Sequence, residues 1–500
     1  MFGRFLAHAL PLPLACALLL AGCAVGPDYK RPDAPVTEAF KEATDASTDT
    51  TTDANAWRGD WKTAEPQDAI ARADWWTVFG DPQLDALMSE VQISNQNIKA
   101  AEAQYRQAVA ALQAARAGFF PTVDAQAGAS RARGASGNTL NGQSLTLGAT
   151  WEIDVWGRVR RQVESSEASA QASQADLAST LLSTQATLAQ SYFLLRVADA
   201  QKALLDRTVA DYQKSLQLVQ NQYAAGTAQR SDVLQSETQL KSAQAQQIDI
   251  QITRAQLEHA IAVLVGKPPA ALSLAADEFG KAPPRVPAAV PSELLERRPD
   301  IGAAERRMAS ANAQIGVAQA AYYPTLSLSA SGGLTASTLA RWMSLPDRIW
   351  SIGGGLAGTL FDGGLRSAAK AQAVAAYDQT VANYRQTVLS AFQEVEDNLA
   401  AQRLLEQEAV VQNDALRSAR EALALVNNRY RAGTAGLLDV LTAQTAAYTA
   451  ERTALSIAGR QYTAAVVLIK ALGGNWHPQP LEGTTAGAAP AAPATTVGQR

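Results

Sequence analysis

The sequence predicts a mainly α-helical fold joined to transmembrane β-strands and laid out as two internal repeats. Three observations predict it. Two short motifs recur, in the same order, about two hundred residues further on. Each copy holds two stretches in which apolar and small or polar residues alternate with period two, the pattern of a strand with one face in lipid. Each copy also holds a very long segment whose apolar residues follow a 3.5-residue repeat, the pattern of long paired helices.

The N-terminus comes first. Arg4 supplies a positive charge and Leu6 to Leu20 an apolar run too short to span a bilayer comfortably, so residues 1–22 read as a signal peptide. Leu20-Ala21-Gly22-Cys23 resembles the bacterial lipoprotein box, which implies cleavage before Cys23 and a covalent lipid on its thiol; the plainer alternative is an ordinary signal peptide with a chance cysteine. Ala24 in place of aspartate permits sorting to the outer membrane, by analogy with enterobacterial lipoproteins. Cys16 and Cys23 are the only cysteines, so there is no internal disulfide framework. Charged residues make up 18% of the 500 and the net charge is −4, which argues against nucleic acid as a partner. His8, His259 and His477 show no metal-ligand spacing, and no cofactor is expected beyond the lipid on Cys23.

The repetition is specific. Phe119-Phe120-Pro121-Thr122 returns as Tyr322-Tyr323-Pro324-Thr325, and Tyr223-Ala-Ala-Gly226-Thr227 returns as Tyr430-Arg-Ala-Gly433-Thr434, each followed by Asp-Val-Leu, at Asp232 and Asp439. The offsets are 203 and 207 residues. The first repeat runs over 81–280 and the second over 292–475, joined by a Pro-rich linker at 281–291. In the first, strands are expected at about 121–133 and 144–155, with a Gly/Asn/Ser loop from Arg133 to Gln143; in the second, at about 324–333 and 349–361. Val123, Ala125, Ala127 and Ala129 alternate with Thr122, Asp124, Gln126 and Gly128, and Trp350, Ile352, Leu356 and Leu360 alternate with small residues. Aromatic residues collect at the strand ends, as at a membrane interface. Four strands cannot close a barrel, and an open edge in lipid leaves unpaired backbone groups, so the strands must pair between chains. Three chains would supply about twelve strands and two about eight; the residues alone leave that choice open.

The long helices are expected at about 158–224 and 364–431, with return helices at about 230–265 and 436–472. Steps of three and four from Leu177 to Tyr223 meet eleven apolar residues in fourteen, and from Val374 to Tyr430 fourteen in seventeen. Gly226 and Gly433 mark where each helix turns back. Strands and helices meeting end to end suggest one continuous tube.

These features resemble the outer membrane factor family, the TolC-type channel-tunnels, and within it the NodT-type lipoproteins of RND efflux pumps. The resemblance is carried by Cys23-Ala-Val-Gly-Pro-Asp-Tyr-Lys-Arg-Pro32, Asp154-Val-Trp-Gly-Arg158, Leu294-Leu-Glu-Arg-Arg-Pro-Asp-Ile301 with Ala304-Glu305, Phe361-Asp-Gly-Gly364 and the two Gly-Thr turns, over roughly Cys23 to Asn475. It implies a homotrimer with a twelve-strand barrel, four strands per chain, continuous with a long periplasmic α-helical barrel, residues 23–80 forming the lipid anchor and part of an equatorial belt. It implies that the tips at Gly226, Thr227, Gly433 and Thr434 dock onto a periplasmic adaptor (a membrane fusion protein) that joins an inner-membrane RND transporter. It implies a periplasmic gate at Asp232, Tyr430 and Asp439. Two family gate residues are absent: Ala435 stands where TolC has arginine and Thr442 where it has aspartate, which leaves Arg230, Arg429 and Arg431 as candidates to hold the gate. A simpler role for Asp232 and Asp439 is to begin the return helices, where a carboxylate favours the helix dipole.

The function implied is passive conduction of drugs or other small molecules across the outer membrane, with energy from the partner pump, since no phosphate-binding loop is present. The alternatives are a type I secretion outlet and a non-conducting structural lipoprotein; an enzyme is not expected. Four methionines weigh against a Met-lined copper or silver route. Residues 43–56 and 476–500 have the composition of disordered segments.

Overall fold

The computed structural model describes residues 24–37, 39–42, 74–133, 137, 139–277, 279, 283–284, 297–336 and 348–474. The expected signal peptide, Cys23, the 43–56 segment and the 476–500 tail lie outside the described residues, as does all of the 281–291 linker except residues 283 and 284.

A short 3-10 turn, Trp75–Phe79, precedes α1 (Pro82–Ser94) and α2 (Gln96–Ala117). Strands β1 (Thr122–Arg133) and β2 (Thr139–Ile153) follow, then the long α3 (Arg158–Ala224) and its return partner α4 (Arg230–Leu264). After a 3-10 turn at Pro269–Ala271 the order recurs: α5 (Pro299–Ala320), β3 (Thr325–Ala336), β4 (Arg348–Ala357), α6 (Leu365–Arg431) and α7 (Leu437–Ala471). Both long helices have 67 residues, about 100 Å at 1.5 Å per residue. Among the described residues no helix is long and apolar enough to cross a membrane.

The strand-to-helix turns show what two of the motifs do. Asp154 accepts from the Val159 and Arg160 N–H groups at 3.0 and 2.8 Å, satisfying donors that α3 leaves open at its start. Gly157 sits at φ 80°, a left-handed conformation in which a side chain would be strained, and a Cβ there would meet Ala24. Asp362 plays the same part before α6, accepting from Gly364 N–H at 3.0 Å. At the start of α5, Pro299 occupies the first turn, where its missing N–H costs nothing. Buried Arg298 beside it pairs with Asp300 and Glu394, both at 2.8 Å, and donates to the Ala471 carbonyl at 2.9 Å, so the motif pins the second half to α6 and the end of α7.

The four strands form one antiparallel sheet in the order β1-β2-β3-β4, the join between the two halves being β2 against β3. Its register sorts the side chains. Val123 faces Ala149, Trp151 faces Leu328, Leu326 faces Leu356 and Ala330 faces Ile352, which puts most of the apolar residues on one face, Ile349 being an exception on the other. The opposite face carries Asp124, Thr146, Thr150, Ser327, Ser329, Ser331 and Ser351. The apolar face is uncovered: Trp350, Ile352 and Leu356 are 78%, 79% and 69% exposed. Both β1 and β4 are open edges.

Three strand limits differ from the sequence expectation, the smallest at β3, which runs on to Ala336 opposite Gln143. β2 starts at Thr139, inside the expected loop, because β1 runs to Arg133 and pairs with it there. The ladder's hydrogen bonds outweigh the poor strand propensity of Asn141 and Gly142. β4 ends at Ala357, so Leu360 and Phe361 lie beyond it, 100% and 89% exposed. Its partner β3 begins just after Pro324, which has no N–H to continue the ladder.

The core sits midway along the helices. Trp76, Leu84, Met88, Leu188, Tyr192, Leu195, Ile261 and Val466 pack together there, bringing α1, α3, α4 and α7 into one cluster. Full burial of each large apolar side chain stabilises the fold by about 1.5–3 kcal/mol. α3 runs through this cluster and packs along α2, α4, α5 and α7, which is why it buries 25 residues along its length.

Candidate functional site

The tips of the two helical hairpins lie at the far end from the sheet. Tyr223 and Tyr430 each accept, through their carbonyls, from the glycine three residues on, Gly226 and Gly433, at 3.0 Å. Thr227 N–H donates to the Gln222 carbonyl and Thr434 N–H to the Arg429 carbonyl, both at 2.9 Å. This pair of bonds is the Schellman closure, and it requires the left-handed glycines, at φ 76° and 72°. The threonine hydroxyls repeat the backbone bond, Thr227 to the Gln222 carbonyl at 3.0 Å and Thr434 to the Arg429 carbonyl at 3.1 Å. The Gly-Thr pair is therefore the smallest side-chain set that ends one helix and turns the chain into the next.

Asp232 and Asp439 occupy identical places. Each carboxylate accepts at 3.0 Å from the N–H of the residue just before its return helix, Gln229 and Gly436. The structure thus gives both a capping role. Tyr430 is placed differently: its hydroxyl crosses to the first hairpin and donates to Gln222 Oε1 at 2.8 Å. Burial, together with the nearby Asp232 carboxylate, pushes its phenol above the ordinary tyrosine range. Gln222 is the residue that sequence reading missed. Its backbone ends α3 and its side chain receives the other hairpin, and only the second role depends on a residue 208 positions away. Of the arginines offered as gate holders, Arg429 donates to the Thr434 carbonyl of its own turn at 3.3 Å.

Above the tips the two hairpins are joined by neutral polar pairs. Gln444 donates to Ser215 at 3.2 Å, Gln239 to Thr445 at 3.0 Å, and Tyr448 to Gln246 at 2.8 Å. Higher still, Glu451 of α7 takes Arg207 of α3 and Arg420 of α6, at 3.0 and 2.6 Å. Between the return helices lies an open groove of about 940 Å³, lined by Leu234, Thr238, Gln239, Leu438, Thr442 and Thr445 among others. Hydrogen bonds between uncharged groups contribute only about 0.5–1.5 kcal/mol each, so this lower half is held weakly beside the packed middle.

At the opposite end, the junction of sheet and helices carries an aromatic collar. Trp151 donates to the Phe119 carbonyl at 3.0 Å and Trp156 to the Pro324 carbonyl at 2.8 Å, and Trp156 stacks on Tyr323 with ring centroids 4.8 Å apart. The N-terminal segment, irregular over residues 24–37, is strapped beside it. Val25 N–H donates to the Trp156 carbonyl at 3.0 Å, Arg161 pairs with Asp28 at 2.8 Å, Tyr29 donates to Glu305 at 2.7 Å and Arg31 to the Tyr384 hydroxyl at 2.9 Å. Ala24, the residue after Cys23, therefore lies at the level of the collar.

A family model described as outer membrane efflux protein matches residues 87–267 and 290–474. A probable efflux pump outer membrane protein of Pseudomonas putida, TtgC, is 30% identical over 479 residues, covering 93% of this chain and 95% of its own. The pyoverdine export outer membrane protein OpmQ of Pseudomonas aeruginosa is 32% identical over 437 residues, covering 84% and 91%. The solved outer-membrane channel OprN superposes with a TM-score of 0.80 at 32% identity, over 91% of this chain and 100% of that one.

Proposed function

This chain belongs to the outer membrane efflux protein family, and from that premise we propose how it works as the outer-membrane channel of a tripartite efflux system. It sits in the outer membrane with its helices extending into the periplasm. The observation that carries the reading is the sheet: one face apolar and uncovered, the other polar, both edges open. Such a sheet has no stable place in water or, alone, in lipid, where each unpaired backbone group costs several kcal/mol. Pairing β1 of one copy with β4 of the next removes both edges, and three copies give a twelve-strand barrel with the apolar face toward lipid and the serine and threonine face toward the lumen. The duplicated element order lets each chain supply four strands and two hairpins to one ring. The route is passive, and no catalytic step is assigned to the chain.

In this reading Cys23 carries a lipid. The strap that holds Ala24 at the aromatic collar supports it, because acyl chains leaving the adjacent position would enter the bilayer directly. The periplasmic adaptor meets the tips at Gly226, Thr227, Gly433 and Thr434, with an inner-membrane transporter behind it. Tyr430 and Gln222 latch the two hairpins at rest, and an adaptor that binds the splayed tips better shifts the population toward the open state. Asp232 and Asp439 cap the return helices and, in several copies, set a negative potential at the entrance. The substrates are small molecules. The test is the mass of the detergent-solubilised protein by light scattering: three chains per particle supports the ring, and a single chain or a pair overturns it.

A further inference from the structure

Three arginines interrupt the apolar face of the sheet. Arg131 and Arg133 fall in the same alternating set as Val123, Ala125, Ala127 and Ala129 on β1. Arg348 of β4 pairs with Leu334, which shares a face with Leu326 and Leu328. All three are exposed and all lie at the end of the sheet away from the helices. Arg131 is nine residues along from Thr122, and Arg348 is nine from Ala357. With a rise of about 3.3 Å and a tilt of about 40°, both stand about 23 Å above the collar, and Arg133 about 28 Å. An apolar band is about 25 Å tall, so the guanidinium groups sit at its outer margin. The acidic residues of the strands are elsewhere: Asp124 and Glu152 belong to the polar face at the helix end, where Glu152 holds Arg158 at 2.6 Å. Arg133 gives its Nε–H to the Gly137 carbonyl at 3.2 Å, which leaves its terminal N–H groups to be satisfied. A lipid-facing guanidinium is costly without a polar partner at that depth, and its planar fork matches a phosphate through two parallel hydrogen bonds.

We propose that Arg131 and Arg133, joined across the ring seam by Arg348 of the neighbouring copy, bind the phosphorylated sugar headgroup of an outer-leaflet glycolipid of the lipid A type. Its acyl chains lie along the small-residue face of β1, at Ala125, Ala127 and Ala129. The shared placement of Arg348 rests on the ring reading above, because β1 and β4 are the two open edges and meet only when copies close. Arg131 and Arg133 need no neighbour.

The test titrates purified full-length protein, in detergent, with bisphosphorylated lipid A, the same glycolipid stripped of its phosphates, phosphatidylglycerol and inorganic phosphate, read by native mass spectrometry. Bisphosphorylated lipid A should bind, with roughly tenfold weaker affinity for each arginine removed in Arg131→Ala, Arg133→Ala and Arg348→Ala. The lysine variants at these positions should keep part of the affinity. Arg417→Ala, on the exposed face of α6 where it pairs with Asp414, should change nothing. Equal binding of the dephosphorylated glycolipid, or of phosphatidylglycerol, overturns the headgroup assignment. Competition by inorganic phosphate at the same concentration as the lipid makes this a free-anion site and overturns the lipid assignment. Binding unchanged in the Arg131→Ala/Arg133→Ala variant overturns the site. Light scattering on the same samples separates the two readings: particles of three chains with no arginine effect leave the ring and remove the lipid site, and single chains with the arginine effect intact do the reverse.

Discussion

Helices α3 and α6 have the same length and the same 3.5-residue seam, yet α3 buries 25 residues and α6 buries six. The seam of α6 does find cover in its own chain: Tyr384 and Val388 pack on Ile301 and Met308 of α5, and Val395 and Leu405 on Leu468 and Ile457 of α7. The difference lies on its other side. Leu404, Val411 and Leu425 fall seven and fourteen residues apart and are 52%, 70% and 58% exposed, and Leu389 and Val410 are exposed as well. α3 is central to the chain, covered by α2, α4, α5 and α7; α6 is a flank, continuous with the open edge strand β4. A heptad stripe with no cover in its own chain is what a ring of identical chains requires at its seam. The lesson is that a periodic seam predicts burial but not whose side chains provide it.

The comparison can be broken most sharply in the α3 core. Leu195→Ala should cost the chain about 2–5 kcal/mol, read as a lower midpoint in denaturant unfolding. Arg298→Ala should cost about 1–3 kcal/mol by leaving the buried Ala471 carbonyl without its donor, since Asp300 is part-exposed and Glu394 keeps Lys470 at 3.1 Å. On α6 the effect should change kind. Leu404→Glu with Val411→Glu should leave the helix content of the monomer intact by circular dichroism but shift the light-scattering mass from three chains to one. An unchanged mass would remove α6 from the seam. At the tips the two halves should behave alike: Asp232→Ala and Asp439→Ala should each lower stability by about 1 kcal/mol, the loss of one helix cap. A clear difference between them would show that one carboxylate does more than cap. The smallest effect is on pH. Tyr430 has its phenol raised, so its protonated form is favoured in the folded state and its contribution is complete below the unfolded value near 10. The latch should therefore be insensitive across neutral pH and weaken only above about 10, a change that a leak-conductance titration would register.

Much of this architecture is readable from the chain because its signals are local and periodic. Alternation at Val123 to Ala129 and Leu145 to Ile153 marks a strand with two unlike faces, and the Gly-Thr turns announce their own geometry. What escaped is what depends on a distant partner. Thr139 to Gln143 looks like a loop and is a strand because β1 extends beside it. The break between α1 and α2 was not visible either; Asn95 makes it, its side chain accepting from Asn97 and Ile98 N–H while its amide donates to the Leu264 carbonyl at 2.7 Å. Gln222 has no motif of its own and acquires its place only when the second hairpin brings Tyr430 to it. Asp232 and Asp439 could be read from sequence as gate residues or as helix-end charges, and the hydrogen bonds display the second.

The most direct test of the account is planar-bilayer conductance of the purified full-length protein beside a Gln222→Leu/Tyr430→Phe variant. The account predicts small discrete conductance steps from the wild type and larger or more frequent steps once the latch is gone. An assembly of three folded chains that stays silent in both would contradict it.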